Sequence, residues 1–162
     1  MDLSQAHLHL MLNHIPVVGA GVVLLFMIAG MLRKSRDLTR TAMVLGALVA
    51  VSAPIVKETG EGAEDQVKQA AWFHDSLLEE HEERADKATV VLVLAGVIGV
   101  VGVFLSRGGR PEQPVVTYAF TAFLAAATGL MAWTALAGGE IRHDEIRPGV
   151  VLPANTGGAD KE

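Results

Sequence analysis

Histidine is the residue type in this chain best suited to chemistry, because a neutral imidazole is a common ligand of haem iron and of first-row metals. The histidines are not evenly spaced, and two pairs of them lie seven residues apart. Seven residues are about two helical turns, so each such pair shares one face of a helix. The six positions are His7, His9, His14, His74, His81 and His143, with His7–His14 and His74–His81 as the seven-residue pairs.

The absence of cysteine excludes several other kinds of site. The 162 residues contain none, so disulfides, zinc fingers, iron–sulfur clusters and the CxxCH attachment of c-type haem are excluded. The sequence also lacks the HExxH motif of zinc hydrolases. A net charge of −5 argues against a nucleic-acid partner, which would require a basic patch.

The elements that position these histidines are apolar helices. Hydrophobic residues make up 51% of the chain and charged residues only 19%, and the charges are excluded from four long stretches. About twenty apolar residues cross a bilayer as a helix, so the pattern predicts an all-α bundle of four transmembrane helices. We expect spans at residues 14–32, 39–56, 88–105 and 115–137, within one membrane domain over 1–150 and followed by a flexible polar tail over 151–162.

The loops between the spans differ sharply in charge. Residues 33–40 carry four basic side chains and one acidic, and residues 106–114 carry two and one, whereas residues 57–87 carry four basic and ten acidic. Because basic residues in short loops resist translocation, the two basic turns are expected to face the cytoplasm. Both termini, the acidic loop and all six histidines then lie on the outer side of the membrane.

The acidic loop has the pattern of an additional amphipathic helix. Between Val67 and Ala88 the apolar positions recur every three or four residues, and His74 and His81 fall on that stripe. We therefore predict a helix over about residues 66–87. The two imidazoles on its inward stripe are either core histidines bonded to a carbonyl or carboxylate, or ligands.

Two further signals concern the ends of the first and fourth spans. Pro16 is best tolerated in a first helical turn with Asn13 as its N-cap, which would leave His7 and His9 on a separate interfacial segment. The Gly138-Gly139 pair after the fourth span suits either a helix C-cap or close approach of the backbone to a flat ligand.

Several short motifs resemble the DUF2231 family of uncharacterised bacterial four-helix membrane proteins. His9 to Pro16 resembles that family's HPxxVHFPI opening, with Leu10 in place of the first proline, and Gly138 to His143 resembles its closing GGxLVYxHG, with Asp144 in place of the last glycine. Residues 59–64 and the Glu80-His81-Glu82 triplet are similar to its loop. The resemblance implies the four-helix fold and selects His9, His14, His81 and His143.

These observations favour a redox protein that binds b-type haem, since membrane bundles commonly hold haem iron between histidines of different helices. We expect His14 and His81 as the axial pair. A second haem, or hydrogen bonds to propionates, would involve His9 with His143, or His7 with His74, together with Arg142 and Arg147. Electrons would then be exchanged at the outer face with a quinone or a cytochrome, as a carrier or a subunit of a larger complex rather than as a stand-alone enzyme.

Two other functions fit the same residues. The first is a non-haem copper, zinc or iron site, in which imidazoles combine with carboxylates. The second is a cofactor-free accessory subunit that binds a membrane or periplasmic protein through its acidic helix. The carboxylates available to the non-haem metal site are Glu58, Glu61, Glu64, Glu80 and Glu82.

Overall fold

The structure, a computed structural model, describes residues 4–150, and all regular secondary structure in that part of the chain is helical. The helices are α1 Gln5–Leu12, α2 His14–Leu32, α3 Arg36–Glu61, α4 Glu64–Val67, α5 Asp75–Leu105 and α6 Pro114–Arg142, with short 3₁₀ turns at Arg107–Gly109 and Asp144–Ile146. Helices α1 and α3 begin at serine caps, since the side chains of Ser4 and Ser35 accept hydrogen bonds from the backbone N–H groups of His7 and Leu38, and α6 begins with Pro114. The expected tail over 151–162 lies outside the described residues.

Four helical segments are long and apolar enough to cross a membrane: Gln5–Leu32, Arg36–Glu61, Asp75–Leu105 and Pro114–Arg142. Their outward faces expose large apolar side chains, including Leu25 at 67%, Leu48 at 64% and Val90 at 60%. Such faces are costly in water and favourable in lipid. The fold is therefore that of a multi-pass membrane protein, as the sequence predicted.

The four long helices form a square. In order around the bundle, α2 packs on α3, α3 on α5, α5 on α6, and α6 on α2, so that α3 and α6 stand at opposite corners. Phe120, Met27, Leu92 and Leu124 fill the centre and are completely buried. The helices α3 and α5 come so close that a Cβ added to Gly99 would lie 2.9 Å from the carbonyl oxygen of Met43.

The structure does not confirm the extra amphipathic helix over residues 66–87. Residues 64–67 form the short α4, residues 68–72 are turns and a bend, residues 73–74 are irregular, and residues 75–87 are the first turns of α5 itself. In the break, the ring of Trp72 lies 5.1 Å from the guanidinium carbon of Arg142, at the end of α6. The interruption therefore occurs where an aromatic side chain packs against a neighbouring helix, a tertiary contact that periodicity does not report.

Helix α2 begins at His14, where the first span was expected to start. Asn13 keeps a helical backbone (φ −59°, ψ −26°) and its side chain makes no capping hydrogen bond, so α1 continues almost directly into α2. Helix α1 begins at the cap of Ser4 and packs on α3. This extension brings His9 over the end of the bundle.

Candidate functional site

Two histidines from different helices meet at the mouth of the bundle, the end bearing the acidic loop. His9 on α1 and His81 on α5 have ring centroids 6.4 Å apart, with ring planes at 87° to each other. Both side chains are half-buried. Of the six histidines, these are the two whose rings the structure brings together.

The ring of His9 is fixed by helix α3. Its Nδ1 lies 3.1 Å from the carbonyl oxygen of Val56, which also accepts the hydroxyl of Thr59 at 2.7 Å. A carbonyl oxygen only accepts hydrogen bonds, so the neutral ring must carry its hydrogen on Nδ1. The Nε2 atom of His9 is then left with a free lone pair.

The ring of His81 is fixed in the same way by helix α6. Its Nδ1 donates to the carbonyl oxygen of Thr134 at 3.0 Å, which again leaves the lone pair on Nε2. Binding one ring nitrogen to a backbone carbonyl sets the tautomer and orientation of a metal-ligating histidine and raises its basicity. Because α3 and α6 stand at opposite corners, the two rings together span the diagonal of the bundle.

Each ring rests on a glycine. A Cβ added to Gly60 would lie 3.0 Å from Cε1 and 3.1 Å from Nδ1 of His9, and the same two distances separate a Cβ at Gly138 from His81. Gly138 and Gly139 both lie inside α6, which continues to Arg142, so the C-cap interpretation of this pair is wrong. Gly138 instead lets a flat ring approach the backbone, and that ring is an imidazole of the chain itself.

Two buried polar atoms lie one helical turn deeper than the histidines. Asn13 follows His9 by four residues and Arg84 follows His81 by three. Within residues 4–150, Asn13 Oδ1 and Arg84 Nε are the buried side-chain nitrogen or oxygen atoms that have no hydrogen-bond partner. Unmet buried polar atoms are costly, so an acceptor and a donor remain unsatisfied at this level of the bundle.

The rest of the Arg84 side chain is well held. Its guanidinium carbon lies 4.3 Å from the centroid of the Trp133 ring, and one terminal nitrogen donates to the Trp133 carbonyl oxygen at 3.3 Å. A second terminal nitrogen pairs with Glu80. A largely buried positive charge is thereby fixed one turn below His81.

The other predicted ligands on the first span lie elsewhere. His14, expected as the axial partner of His81, is exposed, and its Nδ1 contacts the carbonyl oxygen of Leu10 in the preceding turn at 3.2 Å. His7 is also exposed, and its Nδ1 lies 2.8 Å from the hydroxyl of Ser4. The partner beside His81 is His9 rather than His14.

The remaining predicted residues flank the ends of α5 and α6. His74 is exposed at the start of α5. His143 is exposed after α6, with its Nδ1 2.8 Å from Glu145, whose pKa is lowered by its own backbone amide and then by this imidazole. Arg142 covers Trp72, and Arg147 donates to carbonyl oxygens at the end of α6.

The ring pair presents two imidazole nitrogens that are candidate ligands. Within the described chain, no group of three or more histidine, aspartate or glutamate side chains is arranged to hold a metal ion. The carboxylates expected for a non-haem site therefore do not complete one around His9 and His81.

Sequence reasoning missed the groups that position the two rings. The carbonyl oxygens of Val56 and Thr134 belong to ordinary helical residues, so no sequence pattern identifies them as hydrogen-bond partners of the two rings. Asn13 and Arg84 could have been found by counting one turn inward from His9 and His81. The comparisons add no relative, because no family model, curated protein or solved structure matches the chain significantly.

Proposed function

We propose that this protein is an integral membrane redox protein that binds b-type haem between His9 and His81 and transfers electrons. The observation that carries the proposal is the pair itself, two imidazoles held from opposite corners of a four-helix bundle with their Nε2 lone pairs free. Cofactor sites in bundles are built in this way, from side chains on facing helices.

The separation of the ring centroids is compatible with one metal ion bound by both imidazoles. A metal–imidazole bond is about 2 Å long and the ring centre lies about 1 Å beyond the nitrogen, so rings on opposite sides of one ion have centroids about 6 Å apart. The observed separation is 6.4 Å.

The number of ligands favours haem over a non-haem metal. A structural zinc site takes four protein ligands and a catalytic site takes three, whereas the arrangement here supplies two. Haem brings its own equatorial nitrogens and requires only axial ligands from the protein. A two-imidazole site is therefore incomplete for zinc and sufficient for haem.

When bound, haem supplies an iron that accepts and releases one electron. The chain's own residues orient the two imidazoles through Val56 and Thr134, and Gly60 and Gly138 let those rings lie against the backbone. The guanidinium of Arg84 lies one turn from His81, and a fixed positive charge favours the reduced state of a nearby centre. Removing that charge should lower the reduction potential.

The family resemblance is part of this proposal. The four motifs quoted for the DUF2231 family each contribute one residue to the site: His9, Gly60, His81 and Gly138. Motifs far apart in sequence that meet at one place support a shared site.

The proposed location is the bacterial inner membrane, with both termini and the histidine pair on the periplasmic side. Support comes from the basic turns at the other end of the bundle. A quinone in the bilayer or a cytochrome at the acidic surface would exchange electrons there.

The first prediction tests the axial pair. Purified in detergent from cells that make haem, the protein should show a Soret band that sharpens and shifts on reduction with dithionite. His9→Ala and His81→Ala should each abolish this spectrum, because one axial ligand and its orienting hydrogen bond are lost together. Absorption spectra with haem quantified against protein provide the measurement.

The matched controls are His7→Ala and His14→Ala, which remove imidazoles from the same end of the molecule. Both variants should keep the spectrum. A Soret band that survives in His9→Ala but disappears in His14→Ala would contradict the proposal and favour His14 and His81 as the haem ligands. A colourless protein carrying stoichiometric copper, zinc or iron would replace haem by a non-haem metal, and one carrying neither would leave the accessory-subunit function.

A further inference from the structure

The end of the bundle opposite the histidines has a basic pocket between α3 and the turn that joins α5 to α6. The cavity, of about 160 Å³, is lined by Arg36 and Arg40 from the first two turns of α3 and by Arg110 from the turn. Asp37, Ser106 and Glu112 complete most of the wall. None of these groups takes part in the proposed redox site.

The pocket is shaped by a fixed contact. The guanidinium of Arg36 donates to the carbonyl oxygen of Arg110 at 2.6 Å, which holds the turn against α3. Gly109, with φ of +77°, lies in the left-handed region that suits glycine and allows the chain to fold back there. The arginines are thus gathered by the fold rather than by sequence proximity alone.

The three arginines of the pocket lack direct ion pairs within the part of the chain that the structure describes. Within residues 4–150, no carboxylate lies at ion-pair distance from Arg36, Arg40 or Arg110, although Asp37 and Glu112 line the same cavity. Burial raises the pKa of the Glu112 carboxyl, and the nearby guanidinium of Arg36 opposes the change. The pocket is therefore complementary to an anion with several oxygen acceptors.

The pocket continues into an apolar groove. A second cavity, of about 440 Å³, shares Asp37 and Arg40 with the first and runs along one face of α3 past Thr41, Val44 and Leu45. Val44 is 43% exposed on the outer surface of the bundle, where lipid is expected. A cationic pocket that opens onto an apolar helix face matches a molecule with an anionic head and a hydrocarbon chain.

We propose that this composite pocket binds one anionic phospholipid of the surrounding membrane. Its phosphate would be held by Arg36, Arg40 and Arg110, and an acyl chain would follow α3 over Val44 and Leu45. Basic pockets between membrane helices bind anionic head groups in this manner. Arginine suits the role because its planar fork of donors matches phosphate oxygens.

The competing explanation is that these arginines serve only to orient the protein in the membrane. In that case every basic residue at this end would contribute alike to lipid attraction, regardless of the cavity. Arg107 provides the matched control, since it lies in the same turn as Arg110 but its guanidinium covers the ring of Phe104 at 5.4 Å and does not line the pocket.

The test measures lipid binding to delipidated protein in detergent, by native mass spectrometry and by thermal stabilisation. Phosphatidylglycerol should bind more tightly than phosphatidylcholine. Arg40→Gln and Arg110→Gln should each weaken phosphatidylglycerol binding about fivefold, as expected for loss of one basic contact with an anionic lipid. Arg107→Gln should leave the affinity unchanged, and Val44→Trp, which fills the groove, should weaken lipid binding with every arginine intact.

Three results would overturn the proposal. Equal losses in Arg107→Gln and Arg40→Gln would mean general surface charge without a site. Tight binding of soluble glycerol phosphate, unaffected by Val44→Trp, would make the pocket a site for a free phosphate compound. Equal affinity for phosphatidylcholine would remove the anionic selectivity. Circular dichroism of each variant verifies that it is folded, and the haem spectrum reports separately on the redox proposal.

Discussion

At the scale of single residues, the two histidines differ from the other four in how they are held. Each Nδ1 donates to the carbonyl oxygen of another helix, Val56 for His9 and Thr134 for His81, while the exposed His7 and His14 contact atoms within one turn of themselves. A ring tied to a distant helix has one orientation, whereas a ring tied to its own turn moves with that turn. Orientation from a second helix therefore distinguishes the candidate ligands.

The glycines beneath the rings allow a test at this scale. Gly138→Ala and Gly60→Ala would each place a Cβ 3.0 Å from an imidazole carbon and push the ring from its carbonyl partner. We expect cofactor affinity to fall about tenfold or more, the effect of disturbing groups that orient a ligand. Haem titration of the apoprotein, followed by absorption, measures this.

The control for Gly138→Ala is Gly129→Ala in the same helix, where an added Cβ would have no neighbour within 4 Å. It should leave haem affinity unchanged and stabilise the helix by about 0.5–1 kcal/mol, because alanine restricts the unfolded chain. If Gly138→Ala and Gly129→Ala bind haem equally well, the close approach of Gly138 has no role in the site.

At the scale of elements, α5 combines a polar segment of the acidic loop with the third span in one helix, Asp75–Leu105. Its first turns carry His81 and Arg84, and its later turns cross the bundle as a span. One uninterrupted helix transmits the packing of the span to the position of His81. That packing depends on close contact with α3.

A stability prediction follows from the contact between α3 and α5. Gly99→Ala would bring a Cβ within 2.9 Å of the Met43 carbonyl oxygen and 3.0 Å of the Phe120 ring, which is fully buried. The helices must separate, at a cost of about 1–3 kcal/mol for an overpacked core. Unfolding in detergent by denaturant should show this loss. Gly21→Ala, whose Cβ would meet Thr128 at an ordinary 3.8 Å, should show none.

The number and approximate placement of the spans could be predicted because apolar length alone decides whether a helix crosses a bilayer. Periodicity did not predict the break at residues 68–74, where Trp72 meets Arg142 from the far end of the chain, a tertiary contact that periodicity does not report. The geometry of the candidate site could not be predicted from the sequence either. The sequence singled out both His9 and His81, but their pairing needs the earlier start of α1 at Ser4, which carries His9 over the mouth.

At the scale of the whole molecule, the two ends of the bundle have opposite chemistry. One end holds the histidine pair among acidic residues, and the other holds the arginine pocket. The proposed orientation directs the first to the periplasm and the second to the cytoplasm. The two proposed sites are thus separated by the thickness of the membrane.

The proposed orientation can be tested directly because the chain contains no cysteine. In intact spheroplasts, Glu79→Cys should react with a membrane-impermeant maleimide, whereas Arg107→Cys should react only after the membrane is permeabilised. Both positions lie outside the apolar parts of their helices and are exposed. The reverse labelling pattern would place the histidine pair on the cytoplasmic side.

The hydrogen bonds of the His9 and His81 rings to α3 and α6 have a mechanical consequence. In the core, Phe120 of α6 packs against Gly46 of α3, and at the mouth His9 and His81 are hydrogen-bonded to the same two opposite helices. An ion bound by both imidazoles would link α3 and α6 and stabilise their arrangement at that end of the bundle. Conversely, a partner that shifts α3 relative to α6 would change the distance between the two imidazoles. Its binding would therefore change the affinity of the site for the ion.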